Sequence, residues 1–215
     1  MLGARGVGKT TLLTAIYEQF EKNLGSTNLE LTPDEESAAI LQDRLIQLKS
    51  MLNTLVKTKA AMENTSRFQS YTFGLGRKGK KPSLQIRFQD YPGGYHNSNS
   101  SSEEKEKVKD LVRDSVAVLI AIDAPALMEE KGKLHERINR PQQMTNLFKS
   151  AYQDLDTPRL IIFAPVKCEK YVMNEQSAQE LLEKVKEGYS GLINYFNSEE
   201  ISPLIVSVVT PVQTV

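Results

Sequence analysis

The chain has 215 residues, of which 40% are hydrophobic, a length and composition that suit one α/β domain with a buried core. Its 27 basic and 27 acidic residues balance, so bulk charge gives no attraction to nucleic acid or to anionic membranes. The single Cys168 excludes an internal disulfide and suits a reducing cytoplasm. No apolar run approaches the roughly 20 residues that cross a bilayer. We therefore expect a cytoplasmic protein with neither a nucleic-acid nor a membrane partner.

A phosphate-binding loop is the first predicted element. The run Gly3-Ala4-Arg5-Gly6-Val7-Gly8-Lys9-Thr10 is a complete G-x-x-x-x-G-K-[ST] motif. Its glycines let successive backbone N–H groups point at a phosphate, Lys9 reaches the β- and γ-phosphates, and the Thr10 hydroxyl binds Mg²⁺. The helix predicted from Lys9 to Lys22 directs its positive dipole end at the same anion. The predicted nucleotide contacts are Gly3, Arg5, Gly6, Val7, Gly8, Lys9, Thr10 and Thr11.

Both ends of the chain are short for a domain that contains a phosphate-binding loop. Only Met1 and Leu2 precede the loop, whereas a strand of about five residues usually does so. The strand predicted over Leu204–Val209 is followed by no closing helix. We expect one domain over residues 1–215 that has been clipped from a longer chain.

A second helix is predicted to begin at Thr32, which would be its cap. Pro33 would take the first helical position, and Glu35 lies three residues after the cap. Leucines then recur at intervals of three and four, a seam suited to packing on another helix or on the domain body. We treat residues 33–62 as a helical insertion. The predicted inner faces are Leu12, Leu13, Ile16 and Phe20 in the first helix, and Ala38, Leu41, Leu45, Leu48, Leu52 and Leu55 in the second.

Two strands follow the insertion, and the second ends in a candidate metal-binding carboxylate. Apolar residues alternate in Tyr71–Leu75 and in Leu84–Phe88, with an exposed turn at Gly76–Pro82 between them. Asp90 ends the second strand, and Gly93 follows three residues later. In a nucleotide switch such an Asp holds Mg²⁺ through a water, and the N–H of such a Gly contacts the γ-phosphate. An Asp at a strand end is otherwise an ordinary turn former.

The switch threonine that closes over Mg²⁺ is assigned to Thr65, with Thr58 as the alternative. An ordinary loop role stays open for either hydroxyl. The predicted catalytic residues are Lys9, Thr10, Thr65, Asp90 and Gly93, and the predicted metal ligands are Thr10, Thr65 and Asp90.

A candidate base-binding segment, Ala164-Pro165-Val166-Lys167-Cys168-Glu169, ends a later predicted strand. It lies where nucleotide switches carry Asn-Lys-x-Asp, in which the Asp accepts two hydrogen bonds from guanine and the Lys stem packs on the base. Lys167 matches this pattern, while Val166 replaces Asn and Glu169 replaces Asp. We assign Lys167 and Glu169 to base binding. The alternative is a Lys and a Glu in a solvated loop.

The remaining elements alternate between helix and strand, which favours an α/β fold with a mostly parallel sheet. Ser98–Lys107 is rich in serine and charge and is expected to be mobile. His96 and His135 fit no metal-ligand spacing and are expected at the surface. The elements predicted here are a strand at Val116–Ile122, a helix at Arg140–Tyr152, a strand at Leu160–Ala164, and a helix at Gln179–Phe196 with Leu182, Val185, Tyr189, Leu192 and Phe196 on its inner face.

Together, the phosphate loop, the Asp90-Tyr91-Pro92-Gly93-Gly94 segment and the Pro165–Glu169 segment resemble the GTPase branch of the P-loop NTPases, with a Ras-like or translation-factor-like fold. With its long helical insertion, the chain is more narrowly similar to divergent bacterial GTPase domains of larger proteins, some of which carry two such domains. The resemblance implies a three-layer fold in which a mixed, mainly parallel sheet has helices on both faces and an antiparallel edge strand at Tyr71–Leu75. It also implies GTP or GDP, with Mg²⁺, as ligands.

The function that the resemblance implies is Mg²⁺-dependent binding and hydrolysis of GTP by a switch that a protein partner or a neighbouring domain reads. Hydrolysis should be slow, because Gly94 stands where Ras-like enzymes place a Gln that orients the attacking water. The γ-phosphate would order the segments around Thr65 and residues 90–107. Three alternatives stay open. The first is an ATPase that uses ATP and ADP, suggested by Val166 and Glu169, and the second is a nucleotide-gated scaffold with little hydrolysis, suggested by Gly94. The third is an interaction module that uses the Leu41–Leu55 helix and no nucleotide.

Overall fold

The computed structural model describes residues 1–4, 6–24, 26–54, 68–90 and 101–213. The chain divides into two compact units, which we call the parallel-sheet unit (Met1–Gly8 with Gly93–Val215) and the antiparallel-sheet unit (Lys9–Pro92). Several residues singled out in the sequence lie outside the described ranges, namely Arg5, Leu55, Thr58, Thr65, Gly93, Gly94 and His96.

The antiparallel-sheet unit consists, in the residues described, of two helices and three strands. In chain order they are α1 (Lys9–Leu24), β1 (Leu29–Pro33), α2 (Glu35–Thr54), β2 (Gln69–Arg77) and β3 (Leu84–Asp90). The strand order is β1-β2-β3, and both pairs are antiparallel. The two strands predicted from alternating apolar residues are thus confirmed as β2 and β3. The prediction that Tyr71–Leu75 is an edge strand is wrong, because β1 pairs with β2 on its other side and Leu31 lies opposite Leu75.

The start of α2 differs from the prediction at Thr32. Thr32 and Pro33 belong to β1, and the Oδ1 atom of Asp34 accepts a hydrogen bond from the N–H of Ser37 at 2.8 Å. Asp34 is therefore the cap, since its carboxylate satisfies one of the donors that a helix start leaves unpaired. Pro33 is tolerated because it ends a strand at the edge of the sheet. The Ser37 hydroxyl accepts from the N–H of Thr72 at 2.9 Å, which ties α2 to β2.

The core of the antiparallel-sheet unit contains the buried side chains of Leu12, Leu13, Leu41, Tyr71 and Phe73. The predicted inner face of α1 is correct for its two leucines. It is wrong for Phe20, whose side chain is 45% exposed. Phe20 lies in the last two turns of α1, whereas the two buried leucines lie in its first two turns.

The parallel-sheet unit contains, in the residues described, six helices and three strands. They are α3 (Ser102–Asp114), β4 (Ala117–Asp123), α4 (Ala124–Met128), α5 (His135–Ile138), α6 (Pro141–Ala151), β5 (Arg159–Val166), α7 (Glu175–Gly188), α8 (Ser190–Phe196) and β6 (Ile205–Val209). Short 3-10 turns lie at Glu129–Gly132, Glu169–Tyr171 and Ser202–Leu204. The strand order is β4-β5-β6, and both pairs are parallel. The strands predicted from apolar runs are confirmed to within two residues.

Leu2 pairs in parallel with Ile120 of β4. The N–H of Leu2 donates to the carbonyl of Leu119 at 2.7 Å, and its carbonyl accepts from Ala121 at 2.9 Å. The glycine loop therefore leaves a residue that is paired to β4, three positions before that strand ends at Asp123. This places the loop beside the carboxyl end of the parallel strands, where open α/β sheets bind ligands.

Two predictions for the parallel-sheet unit are wrong. Residues 101–107 of the segment expected to be mobile belong to the cap and first turns of α3, where Ser101 and Glu104 form a reciprocal capping box. Val108 and Val112 give that helix a buried face, which the serine and charge content concealed. The helix predicted over Gln179–Phe196 is two helices, α7 and α8, separated by the non-helical backbone of Tyr189.

The fold class is α/β with a parallel sheet, as expected. Within the described residues, however, the strands form two three-stranded sheets, one in each unit, instead of one mixed sheet. No helix in the part of the chain that the structure describes is long and apolar enough to cross a membrane.

Candidate functional site

The glycine loop of the parallel-sheet unit has a backbone that side chains would disfavour. Gly3, Gly6 and Gly8 have φ angles of 141°, 78° and 107°, all in the positive region that favours glycine. A Cβ atom on Gly3 would lie 2.8 Å from the carbonyl oxygen of Ala121. Val7 is buried and anchors the loop. The described glycines of the loop therefore have backbone conformations that a residue with a side chain would rarely adopt.

The last two residues of the motif lie in the antiparallel-sheet unit, at the start of α1. The hydroxyl Oγ1 of Thr10 donates to Oδ2 of Asp90 at 2.9 Å, across 80 positions of sequence. Asp90 is the last residue of β3 and is fully buried, and Lys9 is 6% exposed. The structure thus brings the predicted metal residues Thr10 and Asp90 together, with Lys9 close enough to interact electrostatically with Asp90.

Burial disfavours the charged forms of both Asp90 and Lys9. It raises the pKa of Asp90, and the positive charge of Lys9 partly opposes this rise. It lowers the pKa of Lys9, and the negative charge of Asp90 partly opposes this fall. Burial is the largest cause of both pKa shifts, and the charge of each group favours the charged form of the other.

The second carboxylate oxygen of Asp90 bears on whether Thr10 and Asp90 could bind Mg²⁺. Oδ1 is buried and has no hydrogen-bond partner among the described residues. A buried oxygen of this kind normally contacts an ordered water or an ion. A carboxylate oxygen and a hydroxyl oxygen are ligands that Mg²⁺ prefers, in a shell that retains several waters. The residues present therefore fit the metal.

Lys167, predicted to contact the base, lies beside the glycine loop. Its Nζ donates to the carbonyl of Gly6 at 3.2 Å and to Oδ2 of Asp123 at 2.7 Å. Its backbone is left-handed, with φ of 56°. Asp123 is not among the site residues predicted from the sequence, although it ends a strand just as Asp90 does.

Glu169, the other predicted base residue, is exposed in the turn Glu169–Tyr171. Lys170 and Tyr171 of that turn both bond to Oε1 of Glu129, the tyrosine hydroxyl at 2.8 Å. Cys168 between the two base residues is fully buried, with its Sγ near the carbonyls of Pro165 and Val212. Burial raises the pKa of its thiol.

His135, expected at the surface, is instead buried. Its Nε2–H donates to the carbonyl of Gly188 at 3.1 Å, and its Nδ1 accepts from the side-chain amide of Asn139 at 3.0 Å. Both ring nitrogens are thus used in hydrogen bonds, and burial lowers the pKa of the imidazole. The described residues contain no cluster of three His, Cys, Asp or Glu side chains that could hold a metal ion.

A family model described as Double-GTPase 2 matches residues 1–208. No curated protein matches the chain. The matched range includes the glycine loop, the Thr10–Asp90 pair and the Lys167 segment.

Proposed function

The chain belongs to the Double-GTPase 2 family, which implies that it binds GTP, and on that premise we propose that it is a Mg²⁺-dependent, slowly hydrolysing GTPase switch with a Ras-like P-loop fold. The observation that carries the proposal is the contact between Thr10 and Asp90. Two residues far apart in sequence, each predicted as a metal ligand from its own motif, meet at hydrogen-bond distance.

The chain's own residues would bind the triphosphate in the following way. The N–H groups of the loop from Gly3 to Gly8 would point at the phosphates, and Lys9 would place its ammonium on the β- and γ-phosphates. Negative phosphate beside Lys9 offsets the desolvation that lowers its pKa. The loop and Lys9 form one covalent run, so both would act on one phosphate chain.

Thr10 and Asp90 would hold the metal. When bound, Mg²⁺ would neutralise charge that develops on the phosphates during transfer. Thr10 would turn its hydroxyl oxygen from Asp90 toward the ion, and the carboxylate of Asp90 would bind a water of the ion's shell. The Oδ1 atom of Asp90, which has no hydrogen-bond partner in the part of the chain that the structure describes, would gain most from this arrangement.

Slow turnover and switching rest on residues outside the described ranges. Gly94 lacks a side chain that could orient water, while Thr65 and the N–H of Gly93 would close over the γ-phosphate. In this proposal a protein partner or neighbouring domain reads that closure. Residues 1–215 act as one cytoplasmic domain, with 33–62 as its insertion.

Base recognition would use Lys167 and Glu169, which favours guanine if the Glu169 carboxylate accepts from the base edge. ATP is the second candidate. It is favoured by Val166, which is buried and apolar where guanine-specific switches carry Asn.

Titration of the chain with fluorescent GTP, GDP and ATP analogues, with and without Mg²⁺, followed by a phosphate-release assay, tests the proposal. Lys9→Ala should abolish triphosphate binding without unfolding the domain, which melting of the nucleotide-free protein would check, because Lys9 is the point charge on the phosphates. Lys22→Ala is the matched control, because Lys22 is an exposed cation on the same helix. Equal binding by the parent and the Lys9 variant would show that the site assignment is wrong.

A further inference from the structure

Lys167 is held at two points of the parallel-sheet unit. Its Nζ lies 2.7 Å from Oδ2 of Asp123 and 3.2 Å from the carbonyl of Gly6. The Lys167 side chain is 48% exposed, whereas that of Asp123 is only 12% exposed. The fixed partner in this contact is therefore the carboxylate, and the lysine is the partner that would otherwise move.

Asp123 is itself fixed through its carboxylate and its backbone. Its Oδ1 accepts from the N–H of Ala126 at 2.9 Å, which caps α4. The side-chain oxygen of Asn139 accepts from the N–H of Asp123 at 2.8 Å, and the side-chain amide donates back to the Asp123 carbonyl at 3.1 Å. These contacts orient the second oxygen, Oδ2, toward the glycine loop.

Asn139 is oriented in turn by His135, whose Nδ1 accepts from the same amide nitrogen. The other ring nitrogen of His135 donates to the carbonyl of Gly188. Asn139, His135 and the main part of Asp123 are buried. A buried, fully paired network of this kind has one low-energy arrangement, so the direction of the Asp123 carboxylate is set by the fold.

We propose that Asp123 is a positioning residue of the nucleotide site, which holds the Lys167 ammonium on the Gly6 carbonyl. The proposal rests on the proposed function, because the effect that it predicts is on the affinity for a purine nucleotide. With its ammonium fixed, the stem of Lys167 is already placed for the face of the base. A free lysine would lose rotamer freedom on binding, and a pre-organised one loses less.

The contribution should be the same for either purine. The stem of Lys167 would pack against a ring face, which guanine and adenine share, and both carboxylate oxygens of Asp123 already accept hydrogen bonds from Ala126 and Lys167. Asp123 therefore sets how tightly the domain binds nucleotides, whereas the preference for GTP over ATP is set elsewhere.

A double-mutant cycle tests this role. Asp123→Asn, Lys167→Met and the double variant would be titrated with fluorescent GTP, GDP and ATP analogues in Mg²⁺, and melted without nucleotide. Each single variant should bind GTP and GDP roughly three- to tenfold more weakly, as suits a half-exposed charged contact, with an unchanged ratio of GTP to ATP affinity. In the Lys167→Met background, Asp123→Asn should add no further loss. Glu187→Gln is the control, because it removes another 2.7 Å lysine–carboxylate pair of this unit, and it should bind as the parent does.

Opposite outcomes are distinguishable. If Asp123→Asn weakens binding equally with and without Lys167, its effect comes from the cap of α4 and the proposal is wrong. Lys167→Met leaves the cap of α4 intact, so it tests the proposal even if Asp123→Asn does not fold. Unchanged nucleotide binding by Lys167→Met overturns the proposal. A parent chain that melts cooperatively but binds neither GTP nor GDP overturns the proposed function, and this inference with it.

Discussion

Asp90 and Asp123 make a natural comparison, because each ends a β-strand and each lies in a different unit. Asp90 accepts one hydrogen bond from Thr10, and its Oδ1 has no partner among the described residues. Asp123 uses both carboxylate oxygens, one on the N–H of Ala126 and one on Lys167. An unsatisfied buried carboxylate costs free energy that a ligand can recover, whereas a satisfied one stabilises the protein around it. This difference supports the proposals that Asp90 serves metal binding and that Asp123 serves positioning.

Replacing Asp90 should have the largest effect and gives the strongest test of this contrast. In Asp90→Ala, hydrolysis of GTP should fall about 100-fold, equivalent to about 2.7 kcal/mol, because the metal's water shell would lose the carboxylate that holds it in the transition state. Binding of GDP should change much less, since its phosphates still contact the loop and Lys9. Phosphate release and GDP titration measure the two effects. Asp43→Ala, which alters an exposed acid on α2 of the same unit, is the control, and an equal loss of both functions in Asp90→Ala would contradict a metal role.

Glu169→Ala tests whether the parallel-sheet unit reads the base. If the exposed carboxylate accepts two hydrogen bonds from guanine, its loss costs about 1.5–3 kcal/mol per charge-assisted bond. The ratio of GTP to ATP affinity should then fall at least about tenfold. Competition titrations of both nucleotides measure that ratio. A parent that binds them equally, or a variant with an unchanged ratio, would remove the guanine assignment and leave the phosphate site standing.

His135 tests whether the network behind Asp123 is as fully paired as the structure shows. Burial lowers the pKa of this imidazole below its ordinary 6.5. The unfolded chain therefore binds a proton more readily, so the stability from neutral His135 is fully present above pH 6.5 and is lost as pH falls through the folded pKa.

In His135→Gln, the free energy of unfolding at pH 7.5 should fall by about 1–1.5 kcal/mol through weakened hydrogen bonds, and its decline between pH 7.5 and pH 5.5 should become shallower. Urea unfolding at the two pH values measures both changes. The same decline in parent and variant would show that another group causes the acid sensitivity.

The smallest effect is expected at the start of α3. Ser101→Ala removes the side-chain acceptor of the capping box and should lower the free energy of unfolding by about 0.5–1 kcal/mol. Nucleotide affinity should not change, because the partner of Ser101 in the described part of the cap is Glu104, which is not assigned to the site. Ser101→Asp, which can also cap, should retain the stability. Loss of stability in both variants would indicate that Ser101 acts through something other than its cap.

Patterns that are local in sequence predicted the motif and most of the elements. The glycine loop, α1, β2, β3 and the parallel strands follow from spacing and alternation, and the family match agrees with the resemblance drawn from the Gly3–Thr10 motif and its companions. The missed features depend on distant partners. β1 is a strand because β2 is available to pair with it, and Asp34 outcompeted Thr32 as cap because Thr32 was already in that strand. The break at Tyr189 is concealed, since apolar periodicity continues across it.

The thiol of Cys168 can report when the candidate base-binding segment opens. The single thiol of the protein is fully buried between Lys167 and Glu169. A thiol reagent can reach it only when that segment opens, so the rate of labelling measures local opening directly. A bound nucleotide that contacts both neighbours should slow the modification, and the ratio of the two rates would give the protection free energy of this segment without any engineered label.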